Sequence, residues 1–251
     1  MPMALLETDG LGHRFPDGAW AIRDVSLRVE AGEFVVIAGA NGCGKTTFFR
    51  HLNGLLRPTE GFVTVDGVRV DRDPARARRR VGMVFQDADS QIVGDTVADD
   101  VAFGPENLGL DRKEIARRVG DALAAVGLAS KAAVPPHLLS GGEKRRVAIA
   151  GALAMHARIL VLDEPFSNLD YPGVQSVLDQ LIQLRQAGHT LLLTTHDLEK
   201  VLGLADRLLV MAAGRIVRDG LPAEAVRGVD AFGVREPDAA RAGLRLSSWL
   251  A

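Results

Sequence analysis

Eight consecutive residues, Gly39-Ala40-Asn41-Gly42-Cys43-Gly44-Lys45-Thr46, combine three glycines with a lysine and a hydroxyl. Glycines at that spacing let successive backbone N–H groups curl around phosphate oxygens, and a helix starting just beyond adds the partial positive charge of its amino terminus. In the pattern G-x-x-x-x-G-K-[ST] the lysine reaches the β- and γ-phosphates and the hydroxyl ligates Mg²⁺. Those tasks fall to Lys45 and Thr46. The pattern has meaning only between a strand and a helix, and the apolar run 34–38 and the helical stretch 47–52, opened by Thr47, provide that setting. Cys43 is a small residue in a slot where bulk would clash, rather than a redox sensor. As the single cysteine, it excludes an intramolecular disulfide and a multi-cysteine zinc site.

A second constellation follows late in the chain. Ile159-Leu160-Val161-Leu162-Asp163-Glu164 is an apolar strand ending in two acids. Beside a phosphate loop, an acid at the carboxyl end of a parallel strand can hold Mg²⁺ through its water shell. The next acid can orient and deprotonate an attacking water. Asp163 is therefore the expected magnesium residue and Glu164 the expected general base. In Leu139-Ser140-Gly141-Gly142-Glu143, Ser140 and Glu143 have the spacing of a capping box ahead of an apolar helix. Two adjacent glycines raise the entropic cost of a first helical turn. They make sense where a phosphate must come close to the backbone N–H groups, and capping and phosphate binding can coexist.

Positioning these groups takes a particular set of elements. The runs 34–38, 159–162, 190–194 and 208–212 are apolar on both faces, as a parallel sheet covered by helices requires. The stretches 26–29 and 62–66 alternate polar and apolar, and Asp66-Gly67 is a turn signal, which predicts an antiparallel sheet at the front. Between residues 97 and 154 the pattern is helical, clearest over 114–126 and 143–154. The fold class expected is α/β: a mostly parallel core sheet, an amino-terminal antiparallel β subdomain and an inserted α-helical subdomain at about 97–154. A hydrophobic fraction of 47% with 25% charged residues excludes a disordered chain or a fibre. No apolar run is long enough to span a bilayer and no signal-peptide core opens the chain, so a cytosolic location is expected. A net charge of −2 argues against nucleic acid as a partner. The cluster Arg76-Ala77-Arg78-Arg79-Arg80 lacks interleaved aromatics and reads as a solvated helix end entering a strand at 81–85.

The order phosphate loop, Gln86, residues 139–143, Asp163-Glu164, Asp170 and His196 resembles the ATPase subunits of ATP-binding cassette transporters over about residues 3–225. The resemblance implies a P-loop NTPase core spanning 1–228, with 229–251 as a short tail. That tail either packs at a dimer interface or is a loosely ordered end. It also implies two subunits facing head to tail, each ATP lying between one subunit's phosphate loop and the other's Ser140, Gly141 and Gly142. Phe15 matches the aromatic that stacks on adenine, ahead of Trp20, although either can equally be a core aromatic. Gln86 matches the glutamine that contacts Mg²⁺ and the water and senses the membrane partner. Asp170 matches the segment crossing the dimer interface, and His196 the histidine that contacts the γ-phosphate and braces the base. Glu143 stands where glutamine is commoner, and Asn168 where a small residue is frequent. With every catalytic motif intact, one chain type can supply both ATP sites, so a homodimer is favoured.

Residues 85–93 and 99–109 are similar to the energy-coupling-factor branch of importers, and Pro135-Pro136-His137 with 142–151 is most similar to its cobalt-transporting members. That implies an integral-membrane coupling subunit, a substrate-binding membrane subunit, and a place at the cytoplasmic face of a prokaryotic membrane. Nickel, biotin or another vitamin stays open as cargo. Asp87, Asp89, Asp95, Asp99 and Asp100 are expected either to be a solvated face or to receive arginines of the coupling subunit as bidentate pairs. A soluble cassette of DNA repair or translation fits less well. Only 101 positions separate Gly39 from Ser140, too few for a long coiled coil, and there is one cassette rather than two.

Overall fold

The computed structural model describes residues 4–250. In chain order the strands are β1 (Leu6–Arg14), β2 (Trp20–Val29), β3 (Phe34–Ala38), β4 (Glu60–Val65), β5 (Val68–Arg69), β6 (Val81–Val84), β7 (Ile159–Asp163), β8 (Thr190–Thr195), β9 (Arg207–Ala212) and β10 (Arg215–Gly220). The helices are α1 (Lys45–Leu52), α2 (Pro74–Arg80), α3 (Val97–Asn107), α4 (Arg112–Ala125), α5 (Gly141–Ala154), α6 (Tyr171–Gln186), α7 (Pro222–Ala225) and α8 (Asp238–Arg241). The alternating front of the chain pairs as an antiparallel sheet in the order β2-β1-β4-β5. Asp66 and Gly67 both take positive φ, 49° and 70°, the conformation that lets a two-residue turn follow the twist of its strands.

The second sheet runs β10-β9-β3-β8-β7-β6, parallel except for the β9–β10 edge hairpin. Its central strands show why no hydropathy alternation marked them. Phe34, Val36 and Ala38 of β3 enter the core shared with α3, α4, α5 and α6, whereas Val35 and Ile37 enter the core shared with the antiparallel sheet and α1. The same division separates Leu160 and Leu162 from Ile159 and Val161 in β7. Both faces are dry, so every position is apolar. At about 1.5–3 kcal/mol for each fully buried side chain of this kind, these strands fix the scaffold firmly.

Order within the sheet matters most for chemistry. β3, β8, β7 and β6 are consecutive neighbours, so the segments leaving their carboxyl ends stand in a row: the phosphate loop, His196, Asp163-Glu164 and Gln86. α2 carries the arginine cluster, with Arg78 and Arg79 exposed, straight into β6. α3 opens on a capping box between Thr96 and Asp99, while Asp100 Oδ1 accepts from the amides of Val93 (2.8 Å) and Gly94 (3.2 Å). The carboxy-terminal stretch packs on its own chain: Val229 and Val234 are buried, and Leu246, Trp249 and Leu250 lie against the larger core.

Candidate active site

The loop from Gly39 to Gly44 joins β3 to α1. A Cβ on Gly39 would stand 2.4 Å from the Met211 carbonyl oxygen and 2.5 Å from Cys43 Sγ. Gly44 has φ 109°, and a Cβ there would stand 2.5 Å from the Ala21 carbonyl oxygen. Both positions are closed to other residues by space, and Gly44 by backbone conformation as well. Lys45 is 6% exposed; its Nζ donates to the carbonyls of Gly39 (2.6 Å) and Ala40 (3.2 Å). The first turn of α1 has neither a side-chain cap nor an acid, which leaves its N–H groups for an anion.

Across the cleft Asp163 is 2% exposed and takes two hydroxyls, Thr46 Oγ1 on Oδ2 (2.5 Å) and Thr194 Oγ1 on Oδ1 (2.6 Å). The Glu164 amide donates to the same Thr194 Oγ1 (2.9 Å), so a single threonine fixes both acids. Glu164 has φ 47°, a conformation costing about 1–3 kcal/mol for a residue with a side chain and found mainly where function demands it. Its Oε2 lies 3.0 Å from His196 Nδ1, its Oε1 lies 3.9 Å from Lys45 Nζ, and Oε1 is buried without a hydrogen bond. An unsatisfied carboxylate oxygen in a closed pocket is costly unless something else comes to it. A water or a substrate hydroxyl suits it.

Gly44, Lys45, Thr46, Asp163 and Glu164 line a cleft of about 490 Å³ with Asn41, Gly42, Thr47, Gln86, Phe15 and Trp20, a volume within the usual range for a small-molecule site. Trp20 carries the guanidinium groups of Arg14 and Arg23 on its ring, at 5.7 and 5.5 Å, whereas Phe15 is 44% exposed. Both aromatics reach the cleft, and Phe15 keeps the freer face. Thr46 and Asp163 offer a hydroxyl and a carboxylate side by side, the hard oxygen donors that Mg²⁺ selects, so the residues present fit that ion.

The ABC transporter family model matches residues 22–167. This chain belongs to the ABC transporter ATPases. It is 44% identical over 231 residues to the energy-coupling factor transporter ATP-binding protein EcfA of Methanocaldococcus jannaschii, covering 91% of this chain and 83% of that one. It is 47% identical over 222 residues to the cobalt import ATP-binding protein CbiO of Rhodobacter capsulatus, covering 87% of this chain and 79% of that one. The solved structure of cbiO1 from Clostridium perfringens, part of the ABC transporter complex cbiONQ, superposes with a TM-score of 0.81 at 34% identity, over 96% of this chain and 98% of that one. The chain is thus an ATP-binding, ATP-hydrolysing subunit of the ABC transporter family, similar to the ATP-binding proteins of energy-coupling-factor transporters.

Not every residue expected in an ABC ATPase site lies in the cleft. Ser140, Gly141, Gly142, Asp170 and His196 are absent from its lining, as are Gly39, Ala40 and Cys43 of the phosphate loop. Ser140 caps α5, accepting from the Glu143 amide (3.3 Å), while Glu143 Oε2 accepts from the Ser140 amide (3.0 Å). The two glycines differ. A Cβ on Gly142 would meet the Gly173 Cα at 3.3 Å, so close packing against α6 accounts for it, whereas Gly141 is exposed and a Cβ there would meet a Leu169 methyl at 3.0 Å. Asp170 caps α6, accepting from the Gly173 amide at 3.0 Å. Asn168 takes φ 61°, a conformation asparagine tolerates better than most residues.

Two supporting residues escaped the sequence reading. Thr194 was legible only as the last residue of an apolar strand. Arg145, 3% exposed on α5, donates to the carbonyls of Phe85 and Gln86, the latter at 2.9 Å, and so holds the loop that presents Gln86. Its signal was a charge on the buried face of a helix. Cys43 is 8% exposed, and burial pushes its thiol above the usual range against the opposing pull of Lys45. N-ethylmaleimide should therefore react slowly at neutral pH and faster as pH rises. Once attached, it should abolish ATP binding, because Sγ already abuts Gly39; full affinity after stoichiometric labelling would count against this packing.

Proposed function

We propose that this cassette energises an energy-coupling-factor importer of a transition-metal ion, with cobalt as the cargo, by hydrolysing ATP at the interface of a head-to-tail pair of copies. One observation carries the reading. The cleft gathers a phosphate loop, Asp163 and a buried Glu164 with an open oxygen, while Ser140 and Gly141 sit exposed elsewhere on the same chain, at a helix start suited to a phosphate. A second copy, turned head to tail, completes the site. Lys45 then binds the β- and γ-phosphates, Phe15 stacks on adenine, and the partner copy's Ser140, Gly141 and Gly142 close over the γ-phosphate. When bound, Mg²⁺ held by Thr46 and Asp163, with Gln86 nearby, supplies charge neutralisation on the transferring phosphate. Glu164 takes the proton of the attacking water, and His196 holds the other oxygen of that carboxylate and so fixes its plane. ATP drives closure because it binds the closed pair more tightly than the open one.

A groove of about 360 Å³ beside β6, α3 and α5 supports a membrane subunit as partner at the cytoplasmic face. It is lined by Leu55, Val93, Phe103 and Met155 among others, with Val93 63% and Phe103 55% exposed. An apolar helix end suits it. The neighbouring acids contribute less than their number suggested: Asp99 accepts from the Thr96 amide, Asp100 from the amides of Val93 and Gly94, Asp89 pairs with Lys144, and Asp87 accepts from the Asp89 amide. Among the described residues Asp95 alone of the five makes no side-chain hydrogen bond, which leaves it for an arginine of the partner. Asp95→Lys should reduce recovery of membrane subunits with the tagged cassette, whereas Asp99→Lys should instead lower the thermal midpoint. Equal recovery of the Asp95 variant removes that contact. The cargo is tested by uptake in cells lacking this chain: loss of labelled cobalt uptake, restored by the wild-type chain, is expected, and intact cobalt uptake with lost biotin or nickel uptake overturns the choice.

A further inference from the structure

We propose that Trp249 is a positioning residue for the ATPase reaction, bracing the loop that carries His196 against the amino end of α6. The carboxy-terminal segment reaches both places at once. The Trp249 amide donates to the Lys200 carbonyl (3.1 Å), and the Lys200 ammonium lies 4.9 Å from the centre of the Trp249 ring. On the other side the Trp249 carbonyl accepts from Gln175 Nε2 (3.3 Å) and from the Tyr171 hydroxyl (3.4 Å), with the Tyr171 and Trp249 rings 5.3 Å apart. Tyr171 directly follows Asp170, and Lys200 pairs with Asp197 (3.1 Å), the residue after His196. Thus His196, Asp197, Lys200, Trp249 and Tyr171 form one chain of contacts linking the two segments that flank the Glu164 loop.

Two further features hold the tail in place. A Cβ on Gly203 would stand 2.6 Å from the Ser247 carbonyl carbon, and the Gly203 amide donates to the Ser247 carbonyl (3.0 Å). Only glycine permits that approach. The Asp238 amide donates to Glu199 Oε1 (2.8 Å), a second tie to the segment behind His196. His196 itself is 59% exposed at its side chain and makes one hydrogen bond, to Glu164. An exposed imidazole with a single side-chain bond is aimed largely by its backbone, which leaves β8 at Thr195, whose hydroxyl accepts from the Asp197 amide (3.0 Å). The tail adds the ties at Glu199, Lys200 and Gly203 that hold the segment just beyond.

The inference rests on the proposed roles of Glu164 and His196, and the experiment separates the two. In the full chain, Trp249→Ala should lower kcat about 10-fold with KM for ATP little changed, since the group acts on orientation rather than binding. Trp249→Phe should restore most of the rate, and Gly203→Ala, which levers the same segment away, should reproduce the loss. Placed in a His196→Ala background, Trp249→Ala should cost almost nothing more, because a residue acting through His196 has no route left. Amide hydrogen exchange over residues 197–204 should quicken in Trp249→Ala, a readout independent of any catalytic assignment. An unchanged kcat, an equal loss in both backgrounds, or unaltered exchange overturns the brace. Turnover retained in Glu164→Gln would instead remove the catalytic reading, and the exchange experiment would still show whether the tail holds the loop.

Discussion

Glu164→Gln should abolish steady-state ATP hydrolysis while leaving ATP binding intact, and should convert the protein into a stable ATP-bound dimer. The substitution keeps size and shape, keeps an oxygen or nitrogen opposite His196 Nδ1, and demands no change at φ 47°. What it removes is a group able to accept a proton at the unpartnered position now held by Oε1. General-base catalysis contributes about 10²–10⁴-fold, which corresponds to about 3–5 kcal/mol of barrier. No other acid can substitute, because both oxygens of Asp163 are engaged by Thr46 and Thr194. Phosphate release reads the turnover, and solution mass with ATP and Mg²⁺ reads the dimer. Hydrolysis within a few-fold of wild type in this variant would show that Glu164 is not the base.

The parallel core was legible because burial on both faces leaves continuous apolar runs, and β3 falls on residues 34–38 as the hydropathy alone indicates. The phosphate loop was legible for a different reason: its constraints, the positive φ of Gly44 and the crowding of Gly39 by Cys43 and Met211, show as residue type at fixed spacing. Contacts between distant segments left no such trace. Thr194 fixes both acids from another strand, Arg145 reaches the Gln86 loop from a helix 59 positions away, and Trp249 meets Tyr171 across 78 positions. Nothing in the local pattern of a threonine, an arginine or a tryptophan announces its partner. The acids after Gln86 admit two readings, a solvated face or a receiving surface. Most satisfy backbone amides or a lysine of their own chain, which is what short polar side chains around a helix start ordinarily do.

Separating the two halves of one ATP site onto two chains yields the sharper test of assembly. Lys45→Ala removes the ammonium that the Gly39 and Ala40 carbonyls hold at the loop, and should lose turnover by depriving the β- and γ-phosphates of their cation. Ser140→Asp separates the capping role of Ser140 from a phosphate role. Aspartate caps a helix as well as serine does, so α5 and the thermal midpoint should be unchanged. Its charge would nevertheless repel a γ-phosphate offered by a partner copy, and turnover should collapse. Each variant alone is therefore inactive for a different reason. In a mixed dimer, one site pairs the intact phosphate loop of the Ser140→Asp copy with the intact helix start of the Lys45→Ala copy, and the other site carries both defects. An equimolar mixture left to exchange subunits should thus regain about a quarter of wild-type activity, since half of the dimers are mixed and each holds one sound site. A site completed within a single chain can gain nothing from mixing, so an inactive mixture, with subunit exchange verified by differential labelling, would leave the head-to-tail arrangement without support.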